Sequence, residues 1–268
     1  MSTDPAHSLA DVFDAPAGDE PAVVRGGPRN LLVREVDAPA ALAARRGDLQ
    51  AALDEIAAAL GTSTPSAAGD LMDLAPPGID ELFGMLSILD AREKFDTIVV
   101  DTAPTGHALR LLETPQAARE WVQVLLRVLL KYRSVVKAGG LAAELVDLSK
   151  SIRELQALLR DRRRTRFLVV TRAADVPMLE TMRLVERLRR LELRTPAVVV
   201  NAMTLAPGRC PRCRATAAAE RRAIRPLGRR SAKRADGCVI IRTPIAAPPP
   251  RGARRLGEWA AQWLTAER

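Results

Sequence analysis

One stretch limits what this chain can fold into more than any other: Phe95-Asp96-Thr97-Ile98-Val99-Val100-Asp101-Thr102-Ala103-Pro104-Thr105-Gly106-His107. Thr97 to Val100 is a short β-branched apolar run, which predicts a strand buried on both faces of a parallel sheet. It ends in an acid, Asp101, and then in a turn carrying Pro104 and Gly106. Ligands of open α/β sheets sit beyond the carboxyl ends of the parallel strands. A carboxylate at that edge can hold a magnesium-bound water, and a glycine, lacking Cβ, lets its N–H approach a phosphate. Taken alone, an apolar run followed by Asp reads as a buried strand with an ordinary polar turn.

Composition sets the outer limits. The 268 residues suffice for one large α/β domain or two small ones, with a sizeable core. Apolar residues make up 47% of the chain and mean hydropathy is −0.04, values of a soluble globular protein. No run approaches the roughly 20 apolar residues of a membrane span. The start has no basic segment followed by an apolar one, so no secretory signal is read there. The chain has 3 cysteines, two of them a C-x-x-C, which is no disulfide framework and reads as cytoplasmic. The net charge of +9 is concentrated in residues 209–234, where Arg209, Arg212, Arg214, Arg221, Arg222, Arg225, Arg229, Arg230, Lys233 and Arg234 face Glu220 alone. With few aromatics beside these charges, an arginine-rich, solvated loop over 202–236 is favoured over a nucleic-acid surface.

The extended string D-T-A-P-T-G-H-x-L-R-L-L from Asp101 resembles the Walker B and switch II segment of the ArsA-type anion-transporting ATPases. That family includes the targeting ATPases for tail-anchored membrane proteins. Ser2-Thr3-Asp4-Pro5-Ala6-His7-Ser8-Leu9 with Asp11 and Phe13 resembles the family's switch I. The resemblance implies a deviant P-loop NTPase: a Rossmann-like, mostly parallel α/β sheet flanked by helices, with a helical insertion. It implies that Asp4 positions the water attacking the γ-phosphate, that Asp101 holds Mg2+ through a water, and that Gly106 senses the γ-phosphate. Positioning and charge placement carry most of phosphoryl transfer, so carboxylates suit these roles. What precedes switch I in the family, a strand and a glycine-rich phosphate loop, has no counterpart: the sequence contains no Gly-Lys pair. The missing strand–loop–helix–strand unit is roughly 30 residues, the size of a βαβ crossover. The favoured expectation is a start site further upstream; the other is a degenerate relative that no longer turns over nucleotide.

Pro28 to Asp37 reads as the strand or loop after switch I, Ala40 to Leu60 as helix, and Gly61 to Gly69 as a loop. Pro77-Gly78-Ile79-Asp80-Glu81-Leu82, which resembles the family again, opens a helix through about Arg92, with Leu82, Met85, Leu86 and Leu89 on one face. Residues 116–164 form a long helical tract divided at Gly139-Gly140. Two amphipathic helices packed on the body is its favoured reading; by resemblance to the targeting enzymes it is also the place for a client's membrane helix. It contains no methionine, the adaptable residue of such grooves. Thr165 to Arg172 predicts another buried strand, and Leu179 begins the next helix, in a pattern that resembles the family's. A nucleotide-contacting glutamate of eukaryotic members falls at Ala174, so that role is not carried over.

Pro196 to Asn201 predicts a strand ending in an amide. The resemblance assigns Asn201 to the adenine ring, a task needing both donor and acceptor, and puts Pro244, after the strand Cys238 to Ile241, where relatives close over that ring. Cys210-Pro211-Arg212-Cys213 offers two thiols, and structural zinc prefers four ligands. Two chains on a twofold axis complete the set, which is how family members dimerise; a redox pair or two free thiols are the alternatives. The whole reading is one ArsA-type domain over 1–268, ATP- and Mg2+-dependent, working as a zinc-linked homodimer on a membrane-protein or membrane client. A non-catalytic dimeric interaction protein and, less favoured, a nucleic-acid-binding partitioning-type ATPase stay open.

Overall fold

The computed structural model describes residues 1–4, 8–37, 79–102, 118–127, 131, 139–232 and 238–265. Its elements in chain order are α1 (Leu9–Phe13), β1 (Ala22–Val23), β2 (Leu32–Val33), α2 (Ile79–Ala91), α3 (Gly139–Arg160), β3 (Leu168–Arg172), α4 (Asp175–Arg190), β4 (Ala197–Met203), α5 (Pro211–Ala232), β5 (Val239–Pro244), α6 (Gly252–Ala260) and β6 (Leu264–Thr265). The helix and loop expected over 40–69, and Gly106 with its turn, lie outside the described residues. The chain divides into two compact units interleaved in sequence: Met1–Leu9, Pro16–Ala22 and Val33–Ala157 form the first, and Ala10–Ala15, Val23–Leu32 and Leu158–Arg268 the second.

The first unit is built on the chain's opening residues. Ser2 bridges in parallel to Glu35 on one side and to Asp101 on the other. Its N–H donates to the Arg34 carbonyl at 2.8 Å and its own carbonyl accepts from Val36 at 2.9 Å, while Thr3 N–H reaches the Asp101 carbonyl at 3.0 Å and Asp101 N–H the Met1 carbonyl at 2.9 Å. Residues 1–3 are therefore the middle of a three-stranded parallel ribbon. In the same unit Leu82, Met85 and Ile88 of α2, Val122 and Leu125 of the helical run 118–127, and Leu145, Leu148, Ile152 and Leu155 of α3 are all buried. The expected α2 face holds at Leu82 and Met85, but Ile88 rather than Leu89 completes it.

Two strand expectations need correction. The stretch Thr97–Val100 is not buried on both faces: Val99 is 72% exposed, and ladder pairing is confined to Asp101. Among the described residues its one ladder neighbour is the 1–3 segment. A short apolar run shows that a strand is suited to a sheet interior, not that a second neighbour is present.

The second unit carries a four-stranded sheet in the order β3-β4-β5-β6, with β3–β4 and β4–β5 parallel and β6 antiparallel on β5. The strand expected over Thr165–Arg172 begins at Leu168 and, among the described residues, is an edge of this sheet. Val169 and Thr171 are buried, whereas Leu168 and Val170 are 59% and 61% exposed. Four buried residues of α4, Met178, Thr181, Val185 and Leu188, recur at helical spacing. Thr181 and Thr171 pair their hydroxyls at 2.7 Å, so the buried polar groups satisfy each other. This helix starts at Asp175, four residues ahead of the expected Leu179, with Pro177 in its first turn, where the missing N–H is harmless.

The arginine-rich segment is not a loop. Residues 211–232 form the 22-residue helix α5. Alanine and arginine, which dominate this segment, have among the highest helix propensities, and buried Ala217 and Leu227 give the helix a packed face. No helix among the described residues is long and apolar enough to cross a membrane.

Candidate nucleotide-handling site

In the first unit the parallel ribbon delivers two carboxylates to one edge. Asp4 follows the central segment directly, and Asp101 ends its neighbour. Ser2, wholly buried, fixes the turn into Asp4 by accepting the Asp4 N–H on Oγ at 3.1 Å. Glu35, on the other neighbour, is buried and accepts the Leu9 N–H at 2.7 Å, tying the start of α1 to the same edge. The two aspartates feel each other. Burial first, and then the Asp4 carboxylate, push the Asp101 carboxyl above its ordinary value, while the terminal ammonium opposes the rise. That ammonium donates to the Val99 carbonyl at 2.7 Å, and its own pKa is lowered by burial. Repulsion between neighbouring carboxylates at a strand end is relieved by a divalent cation, and all-oxygen donors suit Mg2+. The residues present fit that ion. Among the described residues there is no cluster of three or more His, Cys, Asp or Glu side chains to hold a metal, so it would be held through waters rather than by a full protein cage.

In the second unit Asn201 lies within β4, which runs on to Met203 rather than ending at the amide as expected, and its orientation is set. The Thr243 hydroxyl donates to Asn201 Oδ1 at 2.7 Å and accepts the Ala202 N–H at 3.1 Å. Thr243 is fully buried. With the amide oxygen engaged, the Asn201 NH2 is the group left to meet a ligand. Ala202 has φ 54°, a left-handed conformation unusual for a residue with Cβ. It lies where the β4–β5 register shifts between Val200 and Met203, and such bulges re-aim side chains at sheet ends. Pro244 is held from behind by the Trp259 indole N–H, which donates to its carbonyl at 2.9 Å. Trp259 in turn meets Trp263 edge-on, with ring centroids 5.1 Å apart.

The same unit presents the two thiols. Cys210 immediately precedes α5, and its Sγ accepts the Cys213 N–H at 3.5 Å, the position a Ser or Asp takes in helix capping. The Cys213 backbone N–H, and next the Cys213 thiol, hold Cys210 below the usual thiol range; the same thiol hydrogen bond pushes Cys213 up. Both cysteines are free and accessible, while Cys238 is buried beside β5, as expected.

The structure thus brings together Asp4 with Asp101, Asn201 with the Thr243–Pro244 turn, and Cys210 with Cys213. The first pair belongs to one unit and the others to the second. Gly106 lies outside the described residues. The positioning roles of Ser2, Glu35 and Thr243 emerge only from the structure. Thr243 left a faint signal, a polar residue beside Arg242 at the end of a strand that begins apolar.

Parallel strand pairing in both units, with two acids at strand ends in the first and an amide in the second, and with helices packed on the second unit's sheet, defines an α/β protein of the nucleotide-binding class. Comparison with known proteins narrows this. The family model described as anion-transporting ATPase matches residues 1–228. An ATPase ASNA1 homolog of Trypanosoma cruzi is 30% identical over 97% of this chain and 77% of its own length. An ATPase GET3 of Mycosarcoma maydis is 28% identical over 97% of the chain and 79% of its length, and an ATPase ASNA1 homolog of Paramecium tetraurelia is 27% identical over 81% and 69%. The chain belongs to the ArsA-type anion-transporting ATPase family, whose fold is that of the P-loop NTPases.

Proposed function

We propose that this protein binds and hydrolyses ATP with Mg2+ and couples its nucleotide state to a client held at the helical region 116–164. The observation that carries the reading is the Asp4–Asp101 pair, two carboxylates at the ends of adjacent parallel strands, with Asp101 raised in pKa by burial first and then by Asp4. Asp4 would orient the attacking water, Asp101 would hold the water shell of Mg2+, and Gly106 would meet the γ-phosphate. Bound Mg2+ supplies neutralisation of the charge that develops on the phosphoryl oxygens. Asn201, oriented by Thr243, would donate to the adenine ring that Pro244 closes over. Cys210 and Cys213, with the same pair from a second copy, would give zinc its four thiolates and link a homodimer. A membrane-protein segment is the client class favoured by the resemblance, and the cytoplasm the compartment.

The test is Mg2+-dependent phosphate release from ATP by protein isolated from its native source, beside the same protein carrying Asp4→Asn. Turnover that falls by two orders of magnitude or more in the variant, with ATP affinity kept, supports the assignment; equal turnover overturns it. One observation favours a second reading. The sequence holds no Gly-Lys pair, hence no G-x-x-x-x-G-K-[ST] phosphate cradle. In that reading the 268-residue chain is a dimeric interaction protein without turnover. An ATP titration of this chain separates the two: binding at micromolar concentration sustains the first, and its absence the second.

A further inference from the structure

The charge of α5 has a shape that nucleotide hydrolysis does not use. Arg221, Arg225 and Arg229 follow one another at four-residue spacing, which places the three residues along one side of the helix. With Arg222, and with Arg242 from β5, they line a cleft of about 610 Å³ between the helix and the strand. Like charges at this spacing destabilise a helix, and a fold tolerates them most readily when something neutralises them. The protein does not. Among the described residues none of the five arginines has an ion-pair partner, and Arg242 Nε is buried with no hydrogen-bond acceptor. Glu220, the one acid of α5, is turned to Thr204, whose N–H and hydroxyl it accepts at 2.8 and 3.2 Å. A buried guanidinium nitrogen without an acceptor is costly in a finished protein and expected in a site awaiting an anion.

We propose that this cleft is a binding site for a compact anion carrying several phosphoryl groups. The planar guanidinium fork matches phosphate oxygens two at a time. The cleft has the size of a small-molecule site, and its floor is apolar, from Ile224 and Ile240, so it also suits the carbon frame of such a ligand. A single-stranded nucleic acid is disfavoured because no aromatic side chain lines the cleft to stack on a base. The site is separate from the nucleotide-handling residues: Asp4, Asp101, Asn201 and Pro244 line no part of it.

The experiment is calorimetric titration of the 268-residue chain with inositol hexakisphosphate, repeated with Arg225→Ala/Arg229→Ala and with Asp101→Asn. Both arginines are exposed, so the double variant keeps its core, which circular dichroism checks. Binding that weakens at least tenfold in the double variant, and is unchanged in Asp101→Asn, is the expected result. Phosphatidylcholine vesicles containing a phosphoinositide, run in parallel, tell a lipid headgroup from a soluble source: arginine-dependent flotation assigns the site to the membrane form of the same chemistry. No binding of either probe, or equal binding by the wild type and the double variant, overturns the proposal. So does a 20-nucleotide single strand that binds through these arginines more tightly than inositol hexakisphosphate.

Discussion

Thr243→Val tests the orientation of Asn201 in the second unit most directly. Valine keeps the shape of threonine and removes only the hydroxyl, and at this fully buried position no water can replace it. Two hydrogen bonds disappear, the donation to Asn201 Oδ1 at 2.7 Å and the acceptance from Ala202 N–H at 3.1 Å. At about 1 kcal/mol each the loss is about 2 kcal/mol, because Asn201 and Ala202 are only half-buried and regain part of their solvation. For a chain of this size that lowers Tm by roughly 4–8 °C, measurable by calorimetry. A second readout separates orientation from stability. Freed from Thr243, the Asn201 amide can flip, so ATP affinity drops about tenfold at a temperature where the variant is folded. Thr243→Ser retains the hydroxyl and restores affinity while leaving a small cavity. If the valine variant matches wild type in both measurements, or if serine is as impaired in affinity as valine, the orienting role is wrong.

Three further outcomes follow from the geometry. Asp4→Asn removes the like charge beside Asp101, so the Asp101 pKa falls and the metal-free protein gains stability at neutral pH. The sign is fixed because a carboxyl raised in the folded state binds more protons than in the unfolded chain, so stability falls as pH rises through that window; a pH series of melting curves that shows no difference between the two proteins refutes the coupling. Cys210 should react with iodoacetamide ahead of Cys213, and at a pH below that of an ordinary thiol, since hydrogen bonds hold it low and its partner high; mass spectrometry of partly labelled protein reads the order. Ile152→Ala, at a fully buried position of α3, should cost about 2–5 kcal/mol in urea unfolding, against a few tenths for Val146→Ala on the exposed side of the same helix.

The acid Asp101, the strand that carries Asn201, and the C-x-x-C at the start of α5 were legible in the sequence because each is a local pattern. Strand residues are consecutive, a turn follows its strand, and a heptad-like stripe marks the buried face of α2 or α3 within a few turns. Local pattern also set α5 at the level of propensity, though charge density disguised an alanine–arginine helix as a loop. What the sequence could not determine is anything that depends on a neighbour distant in the chain. Whether Thr97–Val100 is interior or edge depends on how many strands lie beside it, and the run itself is the same in both cases. The proximity of Asp4 to Asp101 arises from parallel pairing across 97 positions of chain, which no spacing rule foresees. Thr243 holds Asn201 across a strand boundary for the same reason. The arginine cleft exists only because β5 runs beneath the charged face of α5 and brings Arg242 to it. The sequence by itself determined which chemical groups this protein owns and which short segments carry them. Tertiary structure alone decided which of those groups meet, because burial and charge coupling are properties of pairs, and the pairs are made by the fold.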